Sequence, residues 1–150
     1  MAKPTALLTT NLVATAFMTG LIWFVQIVHY PLMAGWSHDD FGRWENLHRG
    51  LTERVVIPVM LVEGVTAVLI IARGSRVRPW LGWTGLALLV GIWASTFLIQ
   101  VPCHRLLSVG WDESVHARLV ASNWIRTLLW SARLGIVLGA FSGWRMRPDP

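Results

Sequence analysis

Cysteine and charge are scarce in this chain. Cys103 is the one cysteine among 150 residues, which excludes an internal disulfide and any thiolate zinc-finger spacing. Only 14% of the residues are charged, against about 25% in a soluble domain. Flexible linkers, low-complexity tracts and internal repeats are not apparent either, so the length fits one domain over 1–150. The net charge of +5 and the pI near 11.0 do not point to nucleic acid. The basic residues sit in short segments between apolar runs, not on one solvated face.

What is present is apolar. Hydrophobic residues make up 54% of the chain, ten of them tryptophan, and the mean hydropathy is +0.52. Four apolar runs stand out, at roughly 6–33, 52–73, 80–102 and 115–143. Each reaches the ~20 residues that cross a bilayer as a helix. A span must satisfy its backbone internally, so runs this long are helical. The first run is too long for a signal peptide and lacks a small-residue cleavage site. The pattern predicts an all-α integral membrane four-helix bundle. Between the first two spans, Phe41, Trp44 and His48 recur at helical spacing and predict a short amphipathic surface helix.

Four crossings place both termini on one side, with Lys3, Arg73, Arg76, Arg78, Arg145 and Arg147. The Lys/Arg bias favours the cytoplasmic side for them, in a bacterial cytoplasmic membrane, by a narrow margin. Trp80, Trp83 and Trp144 fall at the inner ends of spans and Trp36, Trp44 and Trp111 at the outer ends, which are interfacial belt positions.

The polar residues inside the spans form stripes. Thr15, Thr19, Gln26 and His29 share a face of the first helix; Glu53, Met60 and Glu63 do so on the second. Trp93, Thr96, Gln100 and His104 align on the third, and His116, Asn123, Arg126, Trp130 and Arg133 on the fourth. Polar groups facing lipid are costly, so these stripes are expected to turn inward. Arg126 and Glu63 are expected to pair, helped by Asn123 and Gln100, with Arg133 snorkelling to the inner surface. Such a pair can also be plain helix glue, a contact class worth only about 0.6 kcal/mol.

All five histidines fall at outer helix ends or outer loops. His38 reads as a loop residue. His29, His48, His104 and His116 lie near one membrane level and are the candidate ligands for a metal or haem; no His-x-x-x-His or Glu-x-x-His pair is expected on one helix, so the ligands would come from separate helices. Cys103 beside His104 reads as a small buried thiol, since adjacent helical residues point apart.

Three motifs carry a resemblance. The third helix ends LIQVPCHRLL, the fourth carries Asn-x-x-Arg-Thr as NWIRT, and Tyr30-Pro31-Leu32 closes the first. Together they resemble the anthrone-oxygenase-like family of small four-helix membrane proteins. The chain departs from that pattern at His104, where relatives often carry asparagine, and His29 and Glu63 have no clear counterpart. The resemblance implies oxidation of a polyketide-type anthrone to a quinone by dioxygen, with no cofactor required. His104 or His29 would then act as base, and Arg126 with Asn123 would stabilise the oxyanion, with Glu63 in the same polar core. Gln26, Gln100, Trp93, Trp124 and Trp130 would wall the aromatic substrate, although core packing or lipid contact explains the tryptophans equally. Two other classes fit the same residues: a haem- or metal-binding redox protein, and a non-catalytic accessory subunit of a larger membrane complex. The partners expected are the lipid bilayer and an apolar small molecule, with a homo-oligomer or larger assembly also compatible.

Overall fold

The computed structural model describes residues 4–73 and 77–145. Within them, four long helices form an antiparallel bundle. Helix α1 runs over Pro4–Phe24, widens into a π-helical turn at Val25–His29 and closes as α-helix over Tyr30–Met33. Helix α2 spans Phe41–Ala72 without a break. Helix α3 repeats the plan of α1: Pro79–Ser95, a π turn at Thr96–Gln100, then Val101–Leu107. Helix α4 covers Glu113–Arg145. The segments Ala6–Met33, Phe41–Ala72, Pro79–Leu107 and Glu113–Gly143 are each long and apolar enough to cross a membrane.

The segment expected as a separate surface helix is instead the first turns of α2. That helix holds 32 residues. At about 1.5 Å per residue it rises roughly 48 Å. A hydrocarbon core is only about 30 Å thick, so the amphipathic start of α2 projects outward from the same rod. Gly42 fixes that projection. A Cβ there would lie 2.9 Å from the carbonyl oxygen of Ser108, so glycine lets the start of α2 press on the end of α3. Asn46 Nδ2 donates across the contact to the same Ser108 oxygen at 3.2 Å. Asp112 caps α4, as a side-chain oxygen at a helix start can. Its Oδ1 accepts from Val115 N at 3.0 Å and from Ser114 Oγ at 2.7 Å. These bonds hold its carboxyl below the ordinary range.

The two π turns have one cause. Each is followed by a residue and then a proline, Tyr30-Pro31 and Val101-Pro102. Proline lacks an N–H, and its ring crowds the carbonyl four residues back. The chain answers by widening: Tyr30 N–H donates to Val25 O, and Val101 N–H to Thr96 O, five residues back in both. The sequence showed no repeat, yet the odd-numbered helices share this device.

The packing is polar inside and apolar outside. Val13, Phe17, Leu61, Val90, Leu98 and Leu128 are exposed, as suits a surface meeting lipid. Asn11, Thr15, Glu63, Gln100, Asn123 and Arg133 are buried. Trp44, Trp80 and Trp83 are exposed at the helix ends, consistent with an interfacial belt; the side chain of Trp144 and all of Lys3, Arg76 and Arg147 lie outside the described residues. Trp36 and Trp111 pack inward on Phe41, at 5.7 and 4.9 Å between ring centroids, and roof the outer end. Neighbouring helices touch around a square, and the α2–α3 side is its loosest seam.

Candidate functional site

The polar interior is divided into two levels. The inner level is built on Glu63, fully buried. Its Oε1 accepts from Arg133 Nε at 2.7 Å and Thr15 Oγ1 at 2.8 Å, and its Oε2 accepts from Trp130 Nε1 at 3.3 Å. Arg133 donates further to Gly85 O and, at 3.4 Å, to Asn11 Oδ1. Gly85 makes room, since a Cβ there would sit 3.2 Å from the guanidinium. All four helices contribute to this knot. It corrects two expectations: Glu63 pairs with Arg133, not Arg126, and Arg133 does not snorkel but is 1% exposed. Arg126 and Arg133 stand seven apart on one helix face, so the stripe alone could not separate them. Depth does, because α2 starts near residue 41 and carries Glu63 further inward than a start at 52 would.

The outer level is a chain of hydrogen bonds. Glu45, wholly buried, meets His104 Nδ1 at 2.6 Å. His104 Nε2 meets the Tyr30 hydroxyl at 3.0 Å. With Nδ1–H donated to the carboxylate, Nε2 is the acceptor for the Tyr30 O–H. Gln100 Oε1 lies 3.3 Å from that hydroxyl, and its amide is oriented by donation from Nε2 to Ser122 Oγ at 2.9 Å. His48 joins the cluster with its ring 5.6 Å from that of His104, and His29 stacks on His48 at 4.3 Å. Two buried atoms here have no partner among the described residues: His29 Nε2 and Glu45 Oε2.

Between the levels lies a cavity of ≈ 200 Å³. Met18, Val25, Ile57, Met60 and Phe97 give it apolar walls, while Tyr30, His48, Gln100 and His104 border it on the outer side. It sits at the loose α2–α3 seam, where Ile57 and Phe97 are also exposed to the outside of the bundle. Arg126 reaches the same cavity. Its ring neighbour is Trp130, 5.4 Å from the guanidinium carbon, and its Nε is buried without a hydrogen-bond partner among the described residues.

The other expected site residues scatter. Gln26 and Asn123 bond to each other at 3.0 Å and brace α1 against α4. His116 is committed to the Tyr30 carbonyl at 2.9 Å and packs on Trp111. Trp124 pairs with Trp23 at 5.7 Å on the partly exposed flank of the bundle. Trp130 belongs to the Glu63 knot, and Trp93 packs over Gly64. None of these three tryptophans borders the cavity. His38 stacks on Trp111 at 4.8 Å in the outer loop region. Cys103 is buried in the outer apolar cluster, as expected.

Two residues that matter were not singled out from sequence: Tyr30 as a side chain, and Glu45. The signal for Glu45 is legible. Glu45-Asn46-Leu47-His48 is a Glu-x-x-His, three apart and so on one face, and this site draws two donors from one helix rather than one from each. Tyr30 was masked by the π turn, which gives it the buried line that regular helical spacing assigns to His29.

No family model, curated protein or solved structure matches the chain.

Proposed function

We propose that this chain is a membrane-embedded oxidoreductase of the oxygenase type, acting on an apolar aromatic with an acidic proton, a phenol or anthrone-like C–H acid. The observation that carries this is the Glu45–His104–Tyr30 chain ending at a lipid-side cavity that also holds an Arg126 guanidinium with an unpartnered Nε. An apolar substrate partitions into the bilayer and enters by the α2–α3 seam. Its oxygen sits between the Tyr30 hydroxyl and Arg126, whose planar donors suit a developing phenolate or enolate. The proton passes through Tyr30 to His104, and Glu45 stabilises the imidazolium. In the anthrone case dioxygen then oxidises the anion: the CH₂ carbon gains one oxygen atom as C=O, and the other leaves as water with the two hydrogens. The Lys/Arg bias supports an orientation with both termini on the cytoplasmic side and the histidine level facing outward.

The test uses protein in nanodiscs, with binding of an anthrone read by tryptophan quenching and turnover read by oxygen uptake. A hydrogen bond to a charged group is worth about 1.5–3 kcal/mol. Arg126→Met and Tyr30→Phe should therefore each weaken binding or turnover by about ten- to a hundredfold, with helicity kept. Trp124→Phe, remote from the cavity, should change neither. Wild-type affinity and oxygen uptake in both site variants would overturn the proposal.

A further inference from the structure

We infer that Glu45, His48 and His104 form a binding site for one divalent first-row transition ion at the outer mouth of the cavity. One donor atom from each residue lies within 4.8 Å of the others. The site adjoins the cavity of the proposed function and shares Glu45 and His104 with its proton relay; cobalt binding and anthrone binding read the two separately.

Four observations converge on an ion. The first is the donors' own geometry, with the three atoms within 4.8 Å of one another. Around a metal with bonds of about 2.1 Å, tetrahedral donors stand about 3.4 Å apart, so each atom need move by under ~1 Å to converge. The second is the orphaned chemistry. Glu45 Oε2 is buried with no partner among the described residues, and a buried carboxylate oxygen without a partner is costly. A cation beside it removes that cost. The third is support behind the ligands. Thr52 Oγ1 lies 3.2 Å from His48 Nδ1 and leaves the other ring nitrogen for the ion. Outer partners of this kind fix ring orientation at metal sites. The Gly42–Ser108 contact holds together the two helix ends that carry the donors. The fourth is an unpartnered nitrogen next door: His29 Nε2 is buried without a partner among the described residues, on the ring stacked against His48.

The donor set selects the ion class. Two imidazoles and one carboxylate suit iron(II), cobalt(II) or zinc; they suit neither an all-oxygen calcium site nor thiolate-bound copper(I). Cys103, the one thiol, is packed among apolar side chains in the outer core cluster. An ion takes the place of the proton now shared by His104 Nδ1 and Glu45 Oε1. His104 then donates from Nε2 to Tyr30 rather than accepting, and water on the metal supplies the base in its stead. Tyr30 and Arg126 still face the cavity.

The experiment titrates cobalt(II) into chelator-treated protein in nanodiscs, reading visible ligand-field bands and bound cobalt per chain. The expected result is one cobalt per chain. Glu45→Gln and His48→Gln should each weaken binding by about tenfold or more, while His38→Gln, outside the cluster, should bind as wild type does. Circular dichroism identifies a variant that fails to fold, and the other then carries the comparison. Substoichiometric cobalt in the wild type, or unchanged affinity in the folded site variants, overturns the inference. Anthrone quenching on the same samples separates the two readings. Lost cobalt with retained anthrone affinity sinks the metal site alone. Retained cobalt, with anthrone affinity unaltered by Arg126→Met and Tyr30→Phe, sinks the substrate reading alone.

Discussion

Replacing Arg133 with methionine strands the Glu63 carboxylate inside the bundle, where the two groups are 1% and 0% exposed. Removing one partner of a buried pair costs about 3–5 kcal/mol. Thr15 and Trp130 still donate to Glu63. The loss should therefore fall at the lower end, about 3 kcal/mol, or Glu63 should take up a proton instead. Glu63→Gln removes the charge opposite the guanidinium but keeps an amide oxygen that can accept from Nε, beside Gly85 O and Asn11 Oδ1. About 2–3 kcal/mol is expected there, since the stranded charge keeps its acceptors. The double variant strands no charge. It should lose less than the sum of the singles, with a coupling energy of about 2–3 kcal/mol. Arg126→Met supplies the control: its combination with Glu63→Gln should couple by less than about 1 kcal/mol, since the two meet only through Trp130. The assay is reversible unfolding in mixed detergent micelles, followed by tryptophan fluorescence for all six proteins of the two cycles. Additivity between Glu63 and Arg133 would refute the inner knot. Strong coupling between Glu63 and Arg126 would replace it with the pairing the stripe suggested.

Two further outcomes are expected. Gly42→Ala places a methyl 2.9 Å from a backbone oxygen that cannot step aside. Overpacking of this kind costs about 1–3 kcal/mol, and the apparent Tm should fall, while Gly50→Ala, with nothing within 4 Å, leaves it in place or raises it. For orientation, Val109 is 89% exposed in the α3–α4 loop. In intact cells an impermeant maleimide should label Val109→Cys and spare Arg78→Cys; the reverse pattern would invert the topology.

The fold was legible because membrane burial writes large signals. Apolar runs of span length and tryptophans at their ends mark four helices without knowledge of any contact. The start of α2 was not, since the polar stretch from Phe41 to Arg54 carries a surface-helix pattern whether or not it continues into a span. That misplaced start moved Glu63 outward and matched it with the wrong arginine. At the outer level the common depth of His29, His48 and His104 does bring their rings together. His116 shares that depth, but its ring is turned to the Tyr30 carbonyl, and sequence spacing does not report ring direction. Tyr30 escaped for another reason. Periodicity assumes one residue spacing along the whole helix, and α1 changes its spacing at Val25.

That change of spacing divides the molecule's helical phase into two sectors. A π turn adds one residue, which sets everything beyond it back by about 100° relative to an unbroken helix. In α1 the buried line runs through Asn11, Thr15, Met18 and Ile22 and resumes at Gln26, Tyr30 and Met33; in α3 it runs through Leu89 and Ile92 and resumes at Gln100, Cys103 and Leu107. The inner sector, which holds the ion pair, and the outer sector, which holds the histidines, are therefore indexed independently. Deleting one residue from the Val25–His29 turn would return α1 to regular spacing, keep Tyr30 on the buried line one residue earlier, and leave every donor to Glu63 where it was. A scaffold keyed in this way can absorb a one-residue change of length in α1 or α3 as a switch between α and π spacing, while the ion pair that ties the four helices together stays untouched.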